Sequence, residues 1–139
     1  MSIRIFYDST KYRFKGWRKA RKLLDRVIRN SNMNSGDLSI IITTDENLKN
    51  INIEFLNHYY YTDVITFNYS KEKQLNGEIY ISRERVKENA NNYNVSLNDE
   101  MLRVMIHGVL HLTGYDDKTN DQKRIMRAME EIWLAEREG

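Results

Sequence analysis

Met-Ile-His-Gly-Val-Leu-His-Leu-Thr-Gly-Tyr-Asp-Asp, residues 105–117, is the stretch on which the reading of this chain turns. Leu97, Met101, Val104 and Met105 recur at helical spacing, and the helix they predict continues through His111. His107 and His111 stand four residues apart on it, so their side chains lie one above the other on one face. A helix presents two imidazoles to a single metal ion in this way. Gly114 ends the helix at little steric cost and lets the chain turn back, which brings Asp116 or Asp117 round as a third ligand. Two histidines and a carboxylate leave an open coordination position, as a catalytic metal requires. The plainer alternative is a histidine pair packed in an ordinary core. Against it, the pair uses two of the chain's three histidines and is followed at once by a glycine and paired aspartates.

One absence narrows the chemistry. Helical zinc peptidases carry His-Glu-x-x-His, whose glutamate serves as general base. Gly108 occupies that place here, so the peptidase mechanism has lost its base.

Outward from this stretch, Ser96 with Asp99 caps the histidine helix, and Ser82 caps a preceding helix that runs to about Asn94. Thr119 with Gln122 opens the last helix, where Ile125, Met126, Met129, Ile132 and Trp133 form an apolar stripe expected in the core. Upstream, residues 2–7 alternate as a first strand, and residues 16–30 read as a helix with Trp17, Ala20, Leu24, Val27 and Ile28 on one side. Residues 37–43 read as a second strand. Thr43 with Glu46 has the pattern of a capping box opening a helix to about Asn57. Residues 64–69 and 78–82 are β-rich runs joined across 71–77 as a hairpin. Four strands with about five helices make an α+β domain with a helix-covered sheet.

At 139 residues the chain fits one domain, 1–139, and with no cysteine it has neither disulfides nor a thiolate metal site. Its longest aliphatic run, Ile40-Ile41-Ile42, is far too short for a bilayer, and its start lacks the pattern of a signal segment. The expectation is a cytoplasmic protein with no membrane contact. The formal charge of +2 hides an asymmetry: residues 1–30 hold ten Lys/Arg against Asp8 and Asp25, so they carry +8 and the remainder −6. Lys15, Arg18, Lys19, Lys22, Arg26 and Arg29 give the first helix a basic face. Such a face is either simply solvated or a contact surface for a phosphate backbone, which clustered cations bind by releasing counterions.

His-Gly-Val-Leu-His-Leu-Thr-Gly-Tyr-Asp at 107–116 resembles the signature of the YbeY family of metal-dependent hydrolases, His-Gly-x-Leu-His-Leu-x-Gly-Tyr-Asp-His. Thr62-Asp63-Val64-Ile65-Thr66-Phe67 and Gly77-Glu78-Ile79-Tyr80-Ile81-Ser82 are similar to two further family blocks, in the same order and spacing. The resemblance implies a zincin-like fold with a mixed four-stranded sheet, and an endoribonuclease acting on single-stranded RNA. It further implies maturation of the 3′ end of small-subunit rRNA, ribosome quality control, and one zinc ion per chain. By register the third ligand then falls on Asp117, where most members carry histidine, and Asp116 is left to orient a ligand or water. An aspartate remains a legitimate zinc ligand, at about 2.0–2.2 Å. Leu56 stands where many members carry an arginine that contacts substrate phosphate.

Three functions are compatible with these residues. In the first, a metal-dependent ribonuclease, the basic helix holds RNA, Asp116, His58 and Asp63 are catalytic candidates, and Asp63 and Thr66 line the cleft. His58, the remaining histidine, is alternatively a surface residue without a catalytic role. In the second, the chain is a ribosome-associated RNA-binding factor with a structural metal. The third is a metallohydrolase of another substrate. The oligomeric state is not fixed by any of these features.

Overall fold

In the computed structural model, which describes residues 2–137, the elements run β1 (Ser2–Tyr7), α1 (Trp17–Asn30), β2 (Asn34–Thr43), α2 (Asp45–Leu56), β3 (Val64–Asn68) and β4 (Gln74–Ser82). Three helices follow: α3 (Arg83–Tyr93), α4 (Leu97–Leu112) and α5 (Asn120–Ala135). The strands form one sheet in the order β1-β2-β4-β3. β1, β2 and β4 are mutually parallel, whereas β3 lies antiparallel along β4, pairing Val64 with Ile81 and Asn68 with Gly77. The α+β architecture with a mixed four-stranded sheet and five helices is therefore the one expected from the sequence.

Parallel strands are joined by crossover connections that lay helices on the sheet. Here Leu38, Ile40 and Ile42 of β2 and Ile79 and Ile81 of β4 are fully buried, in one cluster with Leu24 and Ile28 of α1 and Met101, Met105 and Val109 of α4. Burying each such side chain contributes about 1.5–3 kcal/mol before conformational entropy is subtracted. Helix α4 is buried on most of its circumference and runs through the middle of the protein. It approaches the sheet through Gly108: a Cβ there would lie 2.8 Å from Ile79 Cγ2 and 2.9 Å from its Cδ1.

Three helix starts are capped as expected, by Ser82, Ser96 and Thr119, the last with a reciprocal capping box through Gln122. Other expectations need correction. The cap of α2 is Thr44, which accepts from the Asn47 amide, not Thr43. Thr43 is the last residue of β2, and its side chain accepts from Asn47 Nδ2. β2 and β4 each begin several residues earlier than the apolar runs suggest, because Asn34 and Ser35 pair with Gln74 and Leu75. The β3–β4 connection is correspondingly tight, with Lys71 and Gln74 exchanging backbone hydrogen bonds. On α5, Met126 and Trp133 are buried, but Ile125 and Ile132 are 54% and 57% exposed. The inward face of that helix keeps Met126 and Trp133 of the expected stripe and adds Glu130.

Candidate metal centre

The local sequence after α4 builds the site. Gly114 has φ +115°, which an L side chain rarely adopts. There the Tyr115 amide donates to Leu110 O at 3.0 Å and the Gly114 amide to His111 O at 3.1 Å, the paired bonds of a Schellman ending. Tyr115 packs against the core. The chain is thereby reversed within three residues, and Asp117 is carried back beside the two histidines.

His107 Nε2 and His111 Nε2 lie 3.0 Å apart, and Asp117 Oδ2 is 3.4 Å and 3.3 Å from them. A tetrahedral ion with metal–nitrogen distances of about 2.0–2.1 Å needs ligand atoms about 3.3 Å apart. The three atoms therefore stand at the separations such an ion demands. Their hydrogen bonds agree. His111 Nδ1 lies 3.1 Å from Tyr115 O, and His107 Nδ1 lies 2.6 Å from Glu130 Oε2. A carbonyl and a carboxylate only accept, so each Nδ1 donates there and each Nε2 is turned toward the other and toward Asp117. Two ring nitrogens and a carboxylate oxygen thus converge, a donor set that suits a cation. The group His107, His111 and Asp117 can hold a metal ion. Its side chains are 18%, 23% and 38% exposed, so the open side of the group is reachable from solvent.

Glu130, which the sequence did not single out, is the partner that orients His107. It is 2% exposed, and its other oxygen, Oε1, accepts from Arg103 Nη1 at 2.5 Å. Burial pushes its carboxyl up, but the hydrogen bond from His107 together with the charge and hydrogen bond of Arg103 outweighs it and holds Glu130 below the usual carboxylate range. It stays an acceptor. A glutamate at the core-facing position between Met126 and Trp133 is the signal by which it was recognisable.

The remaining candidates are spread over the molecule. Asp116 turns away from the ligand atoms: Oδ1 accepts from the Asp117 amide at 2.9 Å, and Oδ2 faces Lys118 at 3.8 Å. It braces the backbone that presents Asp117. His58 lies in the α2–β3 connection, stacked on Tyr60 with ring centroids 5.2 Å apart. Asp63 accepts from Asn89 Nδ2 at 3.1 Å and its carbonyl from the Ser82 amide, tying the entry of β3 to α3. Neither belongs to the ligand group. Thr66 pairs with Ile79, the β4 residue against which Gly108 packs, so it stands on the α4 face of the sheet. Leu56 ends α2 and is 40% exposed. On α1, Arg29 is paired with Asp25 at 2.8 Å and Arg26 approaches Glu136 at 3.9 Å. Among the described residues, Lys15, Arg18, Lys19 and Lys22 make no ion pair with a carboxylate. No helix among the described residues is long and apolar enough to cross a membrane.

A mixed sheet laid against a helix that offers two histidines, with a carboxylate folded back to them, defines an α+β protein with a three-residue group that could hold a metal ion. Comparison with known proteins narrows the class. The family model "Endoribonuclease YbeY" matches residues 7–138. Relatives of that name include one from Cytophaga hutchinsonii, 40% identical over 96% of this chain and 94% of its own length. Another, from Karelsulcia muelleri, is 41% identical over 93% and 92%, and one from Christiangramia forsetii is 44% identical over 83% and 80%. Among solved structures, TM1509 from Thermotoga maritima matches with a TM-score of 0.67 and 28% identity, over 98% of this chain and 89% of that one. The chain belongs to the endoribonuclease YbeY family.

Proposed function

We propose that this chain, acting as one domain over residues 1–139, is a zinc-dependent endoribonuclease that cuts single-stranded RNA. The observation that carries the reading is the convergence of His107 Nε2, His111 Nε2 and Asp117 Oδ2 at 3.0–3.4 Å on a solvent-reachable side. A donor set of two imidazoles and one carboxylate suits zinc. When bound, the ion supplies a Lewis acid for a phosphodiester oxygen and acidifies a bound water.

The protein's own residues do the rest. Tyr115 O and Glu130 hold the two rings by their Nδ1 atoms, which leaves both Nε2 atoms where they would hold the ion. Asp116 fixes the backbone that presents Asp117. Gly108 faces Ile79 rather than carrying a base, which argues against peptide hydrolysis. The unpaired cations Lys15, Arg18, Lys19 and Lys22, with Arg26 and Arg29, form the surface to which the RNA backbone is held. The family membership supports ribosomal RNA as substrate, with the small ribosomal subunit, the 3′ end of its rRNA and ribosome quality control as the setting. That work takes place in the cytoplasm.

A second reading, an RNA-binding factor with a structural metal, is favoured by Leu56 at the family's arginine position and Asp117 at its third histidine. Incubating the purified protein with single-stranded ribosomal RNA, with zinc and with chelator, separates them. Cleavage that the chelator stops supports the nuclease; binding without cleavage under all conditions supports the factor.

A further inference from the structure

Glu100, Arg103 and His107 lie at i, i+3 and i+7 on α4, and so form one stripe directed at α5. The stripe is charged where its surroundings are apolar. The Glu100 and Glu130 side chains are each 2% exposed and that of Arg103 is 12%. Arg103 grips Glu100 with two nitrogens, Nε at 2.9 Å and Nη2 at 2.5 Å, and gives Nη1 to Glu130 Oε1 at 2.5 Å. Glu130 Oε2 in turn takes the His107 Nδ1 proton at 2.6 Å. The guanidinium fork fixes the plane of the Glu130 carboxylate, and that plane fixes the imidazole.

Stability does not explain these charges. Buried ion pairs lose in desolvation about what they gain in attraction, and well-packed apolar residues of similar volume often serve the fold as well or better. Their one contact with chemistry is the ring of His107. We propose that Glu100 and Arg103 are positioning residues which, through Glu130, set the metal affinity of the site while adding little to folding. The inference rests on the metal reading of His107, His111 and Asp117.

The test uses the triple variant Glu100→Met, Arg103→Met, Glu130→Leu, which removes all three charges together and strands none of them, and the single variant Arg103→Lys, which keeps the charge and loses the fork. Zinc affinity is measured by competition with a fluorescent chelator, the urea midpoint is measured on metal-free protein, and the His107 tautomer is read from long-range nitrogen–proton NMR correlations. In the triple variant we expect a urea midpoint equal to or above wild type, zinc affinity reduced about 10–100-fold, and a His107 ring no longer held as the Nδ1–H tautomer. Arg103→Lys should lose affinity several-fold with an unchanged midpoint. Zinc affinity within twofold of wild type in both variants, with the tautomer retained, overturns the proposal. A triple variant that unfolds, together with an Arg103→Lys protein that loses midpoint but keeps affinity, also overturns it, because the charges would then serve the fold. Wild-type protein that binds no zinc overturns the metal reading itself, an outcome distinct from the other two.

Discussion

Replacing Gly108 by alanine tests how α4 is seated, and with it the placement of both histidines. In an exposed helix interior the change would stabilise by about 1 kcal/mol, since glycine is the poorer helix former. Here the new Cβ would lie 2.8 Å and 2.9 Å from two carbons of Ile79, which has no exposed surface. Carbon atoms in good contact stand about 3.5–4.0 Å apart, so one of the two elements must move by roughly an ångström. Overpacking of this kind costs about 1–3 kcal/mol, so the single variant should be as stable as wild type at best and up to about 2 kcal/mol less stable. Truncating Ile79 isolates the steric part. In an Ile79→Ala background the clash has no partner, and Gly108→Ala should regain its roughly 1 kcal/mol of helix propensity. The double-mutant cycle should then show a coupling of about 1–3 kcal/mol, measured by urea unfolding of the metal-free protein. Stabilisation by Gly108→Ala in both backgrounds would refute the close approach of α4 to β4.

Asp117→Ala should strip most of the metal from the purified protein, while Asp116→Ala should leave most of it, as read by elemental analysis; the reverse pattern would exchange the two aspartates' roles. Neutralising Lys15, Arg18, Lys19 and Lys22 together should weaken binding of single-stranded RNA and lower its log–log salt slope by about 3, at roughly 0.7 for each phosphate no longer neutralised. An unchanged slope would leave α1 a merely solvated face. Because the Glu130 carboxyl sits below its ordinary value of 4.5 in the folded protein, its ionisation contributes stability that is complete above about pH 4.5 and disappears as pH falls through the folded value. The acid limb of the urea midpoint should therefore be shallower in Glu130→Gln than in wild type, and equal limbs would show that Glu130 has no such coupling.

Much of this was legible because α4 follows local rules. Ser96 caps it, apolar periodicity runs through it, and Gly114 closes it, so the spacing of His107 and His111 placed both imidazoles on one face before any tertiary contact was known. Asp117 needed more, since the residues alone left Asp116 open; the turn at 113–115 separates them by aiming one carboxylate at the imidazoles and the other at a backbone amide. What sequence missed depends on long-range pairing. The early starts of β2 and β4 come from partners about forty residues apart, and polar residues such as Asn34 and Gln74 give no strand signal. The α5 stripe is legible in part, for a related reason. Met126 and Trp133 are buried as the apolar pattern predicts, but Ile125 and Ile132 are not, and the inward face carries Glu130, whose buried charge is met by Arg103 and His107 on another helix. An apolar pattern passes over a buried acid, which only its place between Met126 and Trp133 marks, and this one orients the first histidine of the candidate site.

Single-turnover cleavage of a single-stranded ribosomal RNA fragment during zinc titration of metal-free protein tests the central claim most directly. The account predicts no cleavage without metal, a cut fraction that rises with zinc and saturates at one ion per chain, and none with Asp117→Ala at the same zinc concentration. RNA that stays intact while the wild-type protein binds one zinc per chain would contradict it.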